Sequence, residues 1–223
     1  LVAKQQCTGA LQLPLNNCGV MALDFEGTHG IATSVGHSPV AALIDPVAGS
    51  RNAVAEALTN IIWAPLSQGL KSMSLSANWM WPANNAGENA RLYKAVKGIS
   101  DFAMDLGINI PTGKDSLSMK QKYPNRDVKS PGTVIVSAAG HCNNISAVVE
   151  PNFKPGAGSV FYINLSGMEP CLGGSSWAQT KNKIGDKAPD VRDAQYLARA
   201  FDAVQELIGL ELIVAGHDVG SGG

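Results

Sequence analysis

Ile108-Asn109-Ile110-Pro111-Thr112-Gly113-Lys114-Asp115-Ser116-Leu117-Ser118-Met119 is the stretch on which the reading of this chain turns. An apolar, strand-like run leads into a Gly-Lys-Asp-Ser segment whose composition is that of a tight turn. Just upstream, Leu92, Val96, Ile99, Phe102, Ala103 and Leu106 recur at three- and four-residue intervals, which predicts a helix from about Glu88 to Leu106, stopped by Gly107. Helix, glycine stop and strand in immediate succession make an α/β unit. The backbone N–H groups of a glycine turn and the Lys114 ammonium suit an anion, while Asp115 and Ser116 suit a hard cation such as Mg²⁺. A Walker A loop is excluded on spacing, because it needs a glycine where this chain has Ile108. The competing reading is a plain glycine turn with solvated Lys and Asp side chains.

Outward from this stretch, other elements follow the same logic. Residues 11–23 and the run Val40-Ala41-Ala42-Leu43-Ile44 read as early strands, the second ended by Asp45-Pro46. From Gly49 to about Trp63, the apolar positions Val54, Ala57, Leu58, Ile61 and Ile62 mark a helix that Pro65 ends. Thr133–Ala138 and Ile145–Val149 read as strands. The Pro/Gly-rich stretch Pro151–Gly158 is the best linker, placing a domain boundary near residue 150. Beyond it come a strand at Val160–Ile163, a Gly173-Gly174-Ser175-Ser176 loop opening a short helix, a helix from about Asp193 to Leu207, and a strand at Leu212–Val214.

Composition narrows the function classes. The chain has 223 residues, long enough for one large domain or two small ones. Only 16% of them are charged, against roughly 25% in an average soluble domain. A net charge of −1 and the lack of any Lys/Arg run argue against a nucleic-acid surface. No apolar stretch reaches the ~18 residues of a membrane span. Cys7, Cys18, Cys142 and Cys171 show no metal-ligand spacing and none lies in a Gly-x-Cys-x-Gly elbow, so reduced thiols in a cytoplasmic protein are the simplest reading. The chain begins without Met and stops inside a glycine-rich loop, which reads as a piece of a longer polypeptide.

Glu56 and Asn60 stand four apart on the first helix, so both side chains project from one face, where two oxygens could meet one Mg²⁺. The plainer alternative is a solvated stripe opposite Val54, Leu58 and Ile61. Asp218 follows the apolar run ending at Val214, and a loop at the carboxyl end of a strand is where α/β proteins hold ligands. Gly220, Gly222 and Gly223 allow close backbone approach to phosphate. Trp79 and Trp81, next to Pro82, read as packing residues more readily than base-stacking ones, and His37 and His217 as structural or exposed histidines, with a general acid or base as the alternative.

Several words occur in a telling order: Lys4-Gln5-Gln6-Cys7-Thr8-Gly9-Ala10-Leu11-Gln12-Leu13-Pro14-Leu15, Leu43-Ile44-Asp45-Pro46, Val54-Ala55-Glu56-Ala57-Leu58-Thr59-Asn60, Leu75-Ser76-Ala77-Asn78-Trp79-Met80-Trp81 and Gly216-His217-Asp218-Val219-Gly220-Ser221-Gly222-Gly223. With the Gly-Lys-Asp-Ser segment, they closely resemble the long-chain form of phosphoribosylformylglycinamidine synthase, over essentially the whole chain. The resemblance implies an α/β (α+β) fold, a mixed sheet with helices on one face. It implies an N-type synthetase-like domain over residues 1–150 and a truncated C-type domain over 151–223. The parent reaction it implies is ATP-dependent amidation of formylglycinamide ribonucleotide, with ammonia released from glutamine in a glutaminase domain that lies outside this chain.

The same resemblance assigns residues. Asn17, Glu56, Asn60 and Asp218 would ligate Mg²⁺. Asn16, Lys114, Asp115, Ser116 and Gly220 would meet ATP or ADP, and Asn78 and His217 would line the cleft. Two departures stand out: the family carries Asp at the position of Asn17, and often a hydroxyl side chain at that of Gly220. The first loses a charge and the second a nucleotide contact. The implied site is either catalytic or an auxiliary nucleotide-binding scaffold. Aminoimidazole ribonucleotide synthetase and selenophosphate synthetase are superfamily alternatives that the Gln-Leu-Pro-Leu and Ser-Ala-Asn-Trp-Met-Trp words disfavour. The remaining domains of the parent are the implied partners, and self-pairing of the isolated segment through its exposed sheet is expected.

Overall fold

The computed structural model describes residues 2–4, 18–167 and 170–220, the first three as backbone only. Thirteen strands and helices are named here in chain order: β1 (Val2–Lys4), β2 (Cys18–Ala22), β3 (Gly30–His37), α1 (Pro39–Ile44), α2 (Pro46–Ile61), β4 (Ser74–Met80), α3 (Glu88–Leu106), β5 (Asn109–Ser116), β6 (Lys120–Tyr123), β7 (Arg126–Lys129), β8 (Thr133–Cys142), α4 (Ser176–Thr180) and α5 (Ala194–Gly209). Among the described residues six strands form one sheet in the order β1-β2-β3-β8-β4-β5. Only β4 and β5 run parallel, so the sheet is mixed, while β6 and β7 form a separate hairpin.

Alternation along the strands divides the sheet into two faces. Val20, Ala32, Leu75, Ala77, Val134 and Val136 point under the helices and are buried. The opposite face carries Thr33, Val35, Ser76, Ser137 and Thr112 in neighbouring positions and has no helix over it among the described residues. α2 lies directly on β3. A Cβ on Gly36 would sit 2.2 Å from the Ala53 carbonyl oxygen and 2.3 Å from the Ala57 nitrogen, so the approach requires glycine. α2 begins well: the Asp45 carboxylate accepts from the Val47 and Ala48 N–H groups, and Pro46 occupies the first turn.

α3 matches the helix expected from Glu88 to Leu106, and Gly107 caps it in the left-handed region at φ 69°. Its buried line is Ala95, Ile99, Phe102, Ala103 and Leu106, while Val96 is 41% exposed. α5 confirms the helix expected near residue 193, with Asp193 as its cap. Leu197, Phe201, Val204 and Ile208 join the same core as the sheet and α2. Burial of each such side chain contributes roughly 1.5–3 kcal/mol.

Several expected elements differ. Val40–Ile44 is helical, within α1, because a five-residue apolar run is equally a buried helix segment and Pro39 supplies a helix start. Gly113-Lys114-Asp115-Ser116 is not a turn but the end of β5. Ala77-Asn78-Trp79, which holds the expected cleft residue Asn78, lies within β4. Ile145–Ala147 is a short 3₁₀ turn, and Val160–Ile163 and Leu212–Val214 are in no strand. Those last two runs are apolar, but no neighbouring strand bonds them here. Of the strand expected within residues 11–23, Cys18–Ala22 is β2 and residues 11–17 lie outside the described residues.

Candidate functional site

The described part of β2 pairs with β3 as far as Cys18 opposite Ser34. At Val35 and His37, α2 side chains bond the β3 backbone. Asn60 Nδ2 donates to the Val35 carbonyl at 2.8 Å, and Glu56 Oε2 accepts from the His37 N–H at 2.5 Å. Ser34 Oγ adds a 2.6 Å bond to the Ala57 carbonyl. Glu56 and Asn60 therefore do not form a solvated stripe. Asn60 is 6% exposed, and its Oδ1 is buried with no hydrogen-bond partner. A buried orphan carbonyl oxygen normally meets a donor, water or cation.

Asp218 comes to the same place from the other end of the chain. Burial is the main cause that raises the Glu56 pKa above its ordinary 4.5; the His37 N–H and the His37 charge act against this, and the nearby Asp218 carboxylate adds to it. Two carboxylates that repel one another beside a buried amide oxygen suit a divalent cation. Asp218 is held by a close fit upstream. A Cβ on Gly216 would lie 1.9 Å from the Trp63 ring, and the Gly216 N–H donates to the Glu150 carbonyl at 3.1 Å. His217 Nδ1 lies 3.4 Å from Asp218 Oδ1 and also contacts the Asp218 carbonyl. The Trp63–Gly216 contact carried no signal in the sequence, since the two are far apart along the chain.

Lys114 and Ser116 belong to the open face, beside Asn78 and Met80 of β4, and the Lys114 ammonium contacts Ser116 Oγ. Asp115 is next to Trp79 and by alternation points to the opposite face, so it does not share a face with its two neighbours. Asn78 Oδ1 is a second buried oxygen without a partner. The row His37–Ile135–Asn78–Lys114 crosses the sheet, so Lys114 stands three inter-strand spacings, about 14 Å, from the strand end that Glu56 holds. A concavity of ≈ 780 Å³ lies between, lined by His37, Glu56, Asn60, Ser76, Thr112 and Ser137 among others. Its size falls within the roughly 300–1,000 Å³ of small-molecule sites.

The structure thus sets Glu56 and Asn60 side by side at the end of β3, with the Asp218 carboxylate near enough to Glu56 to act on its charge, and sets Lys114, Ser116 and Asn78 across the same face. Gly220 is exposed, and Asn16 and Asn17 lie outside the described residues. Among the described residues no group of three or more His, Cys, Asp and Glu side chains is placed to hold a metal, so any cation here would depend on amide oxygens besides Glu56 and Asp218. Trp79 and Trp81 are packing residues, with ring centroids 6.3 Å apart, and Trp81 Nε1 donates to Glu88 at 3.0 Å. Cys142 is buried next to Cys18, and burial pushes its thiol up to about 11, which keeps it protonated and inert. No helix among the described residues is long and apolar enough to cross a membrane.

A mixed sheet with helices on one face, and polar side chains at the end of β3 and on the bare face, defines an α/β domain with a ligand-sized concavity on its uncovered side. Residues 1–141 match the family described as the FGAR-AT PurM_N-like domain, and the chain belongs to it. Over its full length the chain is 41% identical to a probable phosphoribosylformylglycinamidine synthase of Caenorhabditis elegans and 41% identical to the phosphoribosylformylglycinamidine synthase of Homo sapiens. It spans 18% and 17% of the length of those two relatives. Among solved structures, T. maritima PurL complexed with FGAR covers 93% of the chain at a TM-score of 0.64 and 17% identity, the match taking in 32% of PurL. That likeness confirms the expected fold.

Proposed function

We propose that the chain is a portion of an ATP-dependent carbon–nitrogen ligase that converts formylglycinamide ribonucleotide to formylglycinamidine ribonucleotide with ammonia from glutamine, and that it contributes a Mg²⁺-nucleotide site. The observation that carries this reading is the unpartnered buried Asn60 Oδ1 beside Glu56 at the end of β3, with the Asp218 charge acting on Glu56. Support also comes from the 41% identity to the human synthase and from T. maritima PurL complexed with AMPPCP, which has the same fold at a TM-score of 0.59. Glu56, Asn60 and Asp218, with Asn17, would hold Mg²⁺. When bound, the ion would neutralise charge on the nucleotide phosphates. Lys114, Ser116 and Asn78 would orient an anionic substrate across the bare face, with Asn16, His217 and Gly220 nearer the nucleotide. Division at residue 150 into an N-type and a partial C-type domain, and a cytoplasmic setting, belong to the same proposal.

A second reading has its own observation. Glu56 Oε2 and Asn60 Nδ2 already bond the β3 backbone, which suits an auxiliary nucleotide that stabilises the fold without turning over. In either case the 223-residue chain alone is expected to show no synthase turnover, since it holds under a fifth of its relatives' length.

Calorimetric titration with Mg²⁺-ADP tests the site. Asn17→Asp should tighten binding and Glu56→Gln should weaken it, because affinity follows ligand charge. Binding should also fade on acidification at a higher pH than for an ordinary carboxylate, since the raised Glu56 pKa lets a proton compete earlier. Wild-type affinity in both variants would remove the metal from this place and leave Glu56 as a strand-capping residue.

A further inference from the structure

A second concavity, of ≈ 790 Å³, lies away from the sheet between α4 and the loop that follows it. Its walls carry Lys181, Lys183 and Lys187 against one carboxylate, Asp186. Among the described residues none of these lysines is in an ion pair. Trp177, 59% exposed, forms another wall, and Lys181 Nζ stands 5.9 Å from its ring centroid. An indole left this exposed is unusual in a chain whose other described tryptophans are largely covered.

The backbone that presents these groups is fixed rather than loose. The Gly173 N–H donates to the Lys187 carbonyl at 3.1 Å, the Gly174 N–H to the Ile184 carbonyl at 2.7 Å, and the Lys183 N–H to the Ala178 carbonyl at 3.0 Å. The strands of this small knot touch so closely that a Cβ on Gly173 would lie 2.3 Å from the Lys187 oxygen, and one on Gly185 would lie 2.8 Å from the Gly173 Cα. Three ammonium groups on a preorganised loop concentrate positive potential in a small space. With a net chain charge of −1 this is a local feature and not a general basic surface.

We propose that this concavity binds a nucleotide, with its phosphates on Lys181, Lys183 and Lys187 and its base on the Trp177 ring. The lysines act as point charges on phosphate oxygens and need no metal. The exposed indole supplies a flat apolar surface for a base, and Lys181 moves from the ring to a phosphate as the base arrives. The volume suits one small ligand and not a polymer.

Fluorescence titration of the 223-residue chain with ADP in EDTA separates this site from the Mg²⁺-dependent one at Glu56. Binding is expected without metal, with quenching assigned to Trp177 by its loss in Trp177→Phe. By calorimetry Trp177→Ala should weaken binding about tenfold, the scale of one base–aromatic stack. The pair Lys183→Ala and Lys187→Ala should weaken it at least as much and reduce its salt dependence, while Glu56→Gln should leave it unchanged. Circular dichroism verifies that each variant is folded. Failure of ADP to bind in EDTA at millimolar concentration overturns the proposal. So does pyrophosphate binding as tightly as ADP with no effect of Trp177→Ala, which would make the concavity a simple anion site. Loss of the signal in Glu56→Gln would assign the nucleotide to the first site instead.

Discussion

At the scale of single residues, the contact between Trp63 and Gly216 decides more than either residue suggests alone. Trp63 lies just past the end of α2, and its ring covers the place where any side chain at position 216 would go. The consequence is carried two residues further, to Asp218 beside Glu56. Gly216→Ala should therefore destabilise the fold by about 1–3 kcal/mol through overpacking, as read by urea unfolding. It should also cost more Mg²⁺-ADP affinity than a remote substitution of equal stability effect, because Asp218 moves with the loop. Glu56 and Asn60 teach the complementary point. Their four-residue spacing on a helix face was legible in the sequence, yet that they bond the backbone of β3 depends on how α2 packs across that strand.

At the scale of elements, the segment before α5 is fastened to α2 by a buried carboxylate. Asp190, 2% exposed, accepts from Arg51 Nε at 2.9 Å and Nη2 at 2.6 Å, and from Arg192 Nε at 2.8 Å. Asn52 Nδ2 adds a bond to the Pro189 carbonyl. Burial by itself would raise the Asp190 pKa, but the two guanidinium groups outweigh it and hold the carboxyl below its ordinary 3.8. A lowered folded pKa means stability that is complete above pH 3.8 and is lost as pH falls through the folded value. Arg51→Ala should cost about 1–3 kcal/mol at neutral pH, since one partner of a buried acceptor remains. The gap between variant and wild type should narrow below pH 3.8 in unfolding experiments across pH. α5 itself is clasped by Gln205, whose amide donates to the Ile62 and Ala64 carbonyls and accepts from the Leu66 N–H. Apart from Arg192 with its near neighbour Asp190, none of these pairings was visible in the sequence, because each joins residues more than 130 positions apart.

At the scale of the whole molecule, the described residues cover the sheet on one side only. Met21 and Val35 on the bare face are 55% and 48% exposed, next to partly buried Ile31 and Ile135. Apolar surface of this kind on a sheet favours association. Size exclusion with light scattering at micromolar concentration should show a dimer, and Val35→Lys should convert it to monomer without unfolding it. A monomer in the wild type across that range would mean the face is satisfied by other means.

What could be read from the chain alone was local and periodic. The helices at Pro46–Ile61, Glu88–Leu106 and Ala194–Gly209 were legible because their apolar positions repeat with the helical turn and their ends carry Asp, Pro or Gly. The ordered words near Glu56, Asn78, Lys114 and Asp218 were enough to indicate the family. The identity of short elements was not legible, because five apolar residues satisfy a strand or a buried helix equally, and the Gly-Lys-Asp-Ser segment became strand only through pairing with β4. Pairing also set Lys114 and Asp115 on opposite faces, and packing of α2 on β3 brought Glu56 and Asn60 to one strand end within reach of the Asp218 charge. Those outcomes belong to the tertiary structure, since strand bonds and close packing are made between residues that sequence order does not bring together.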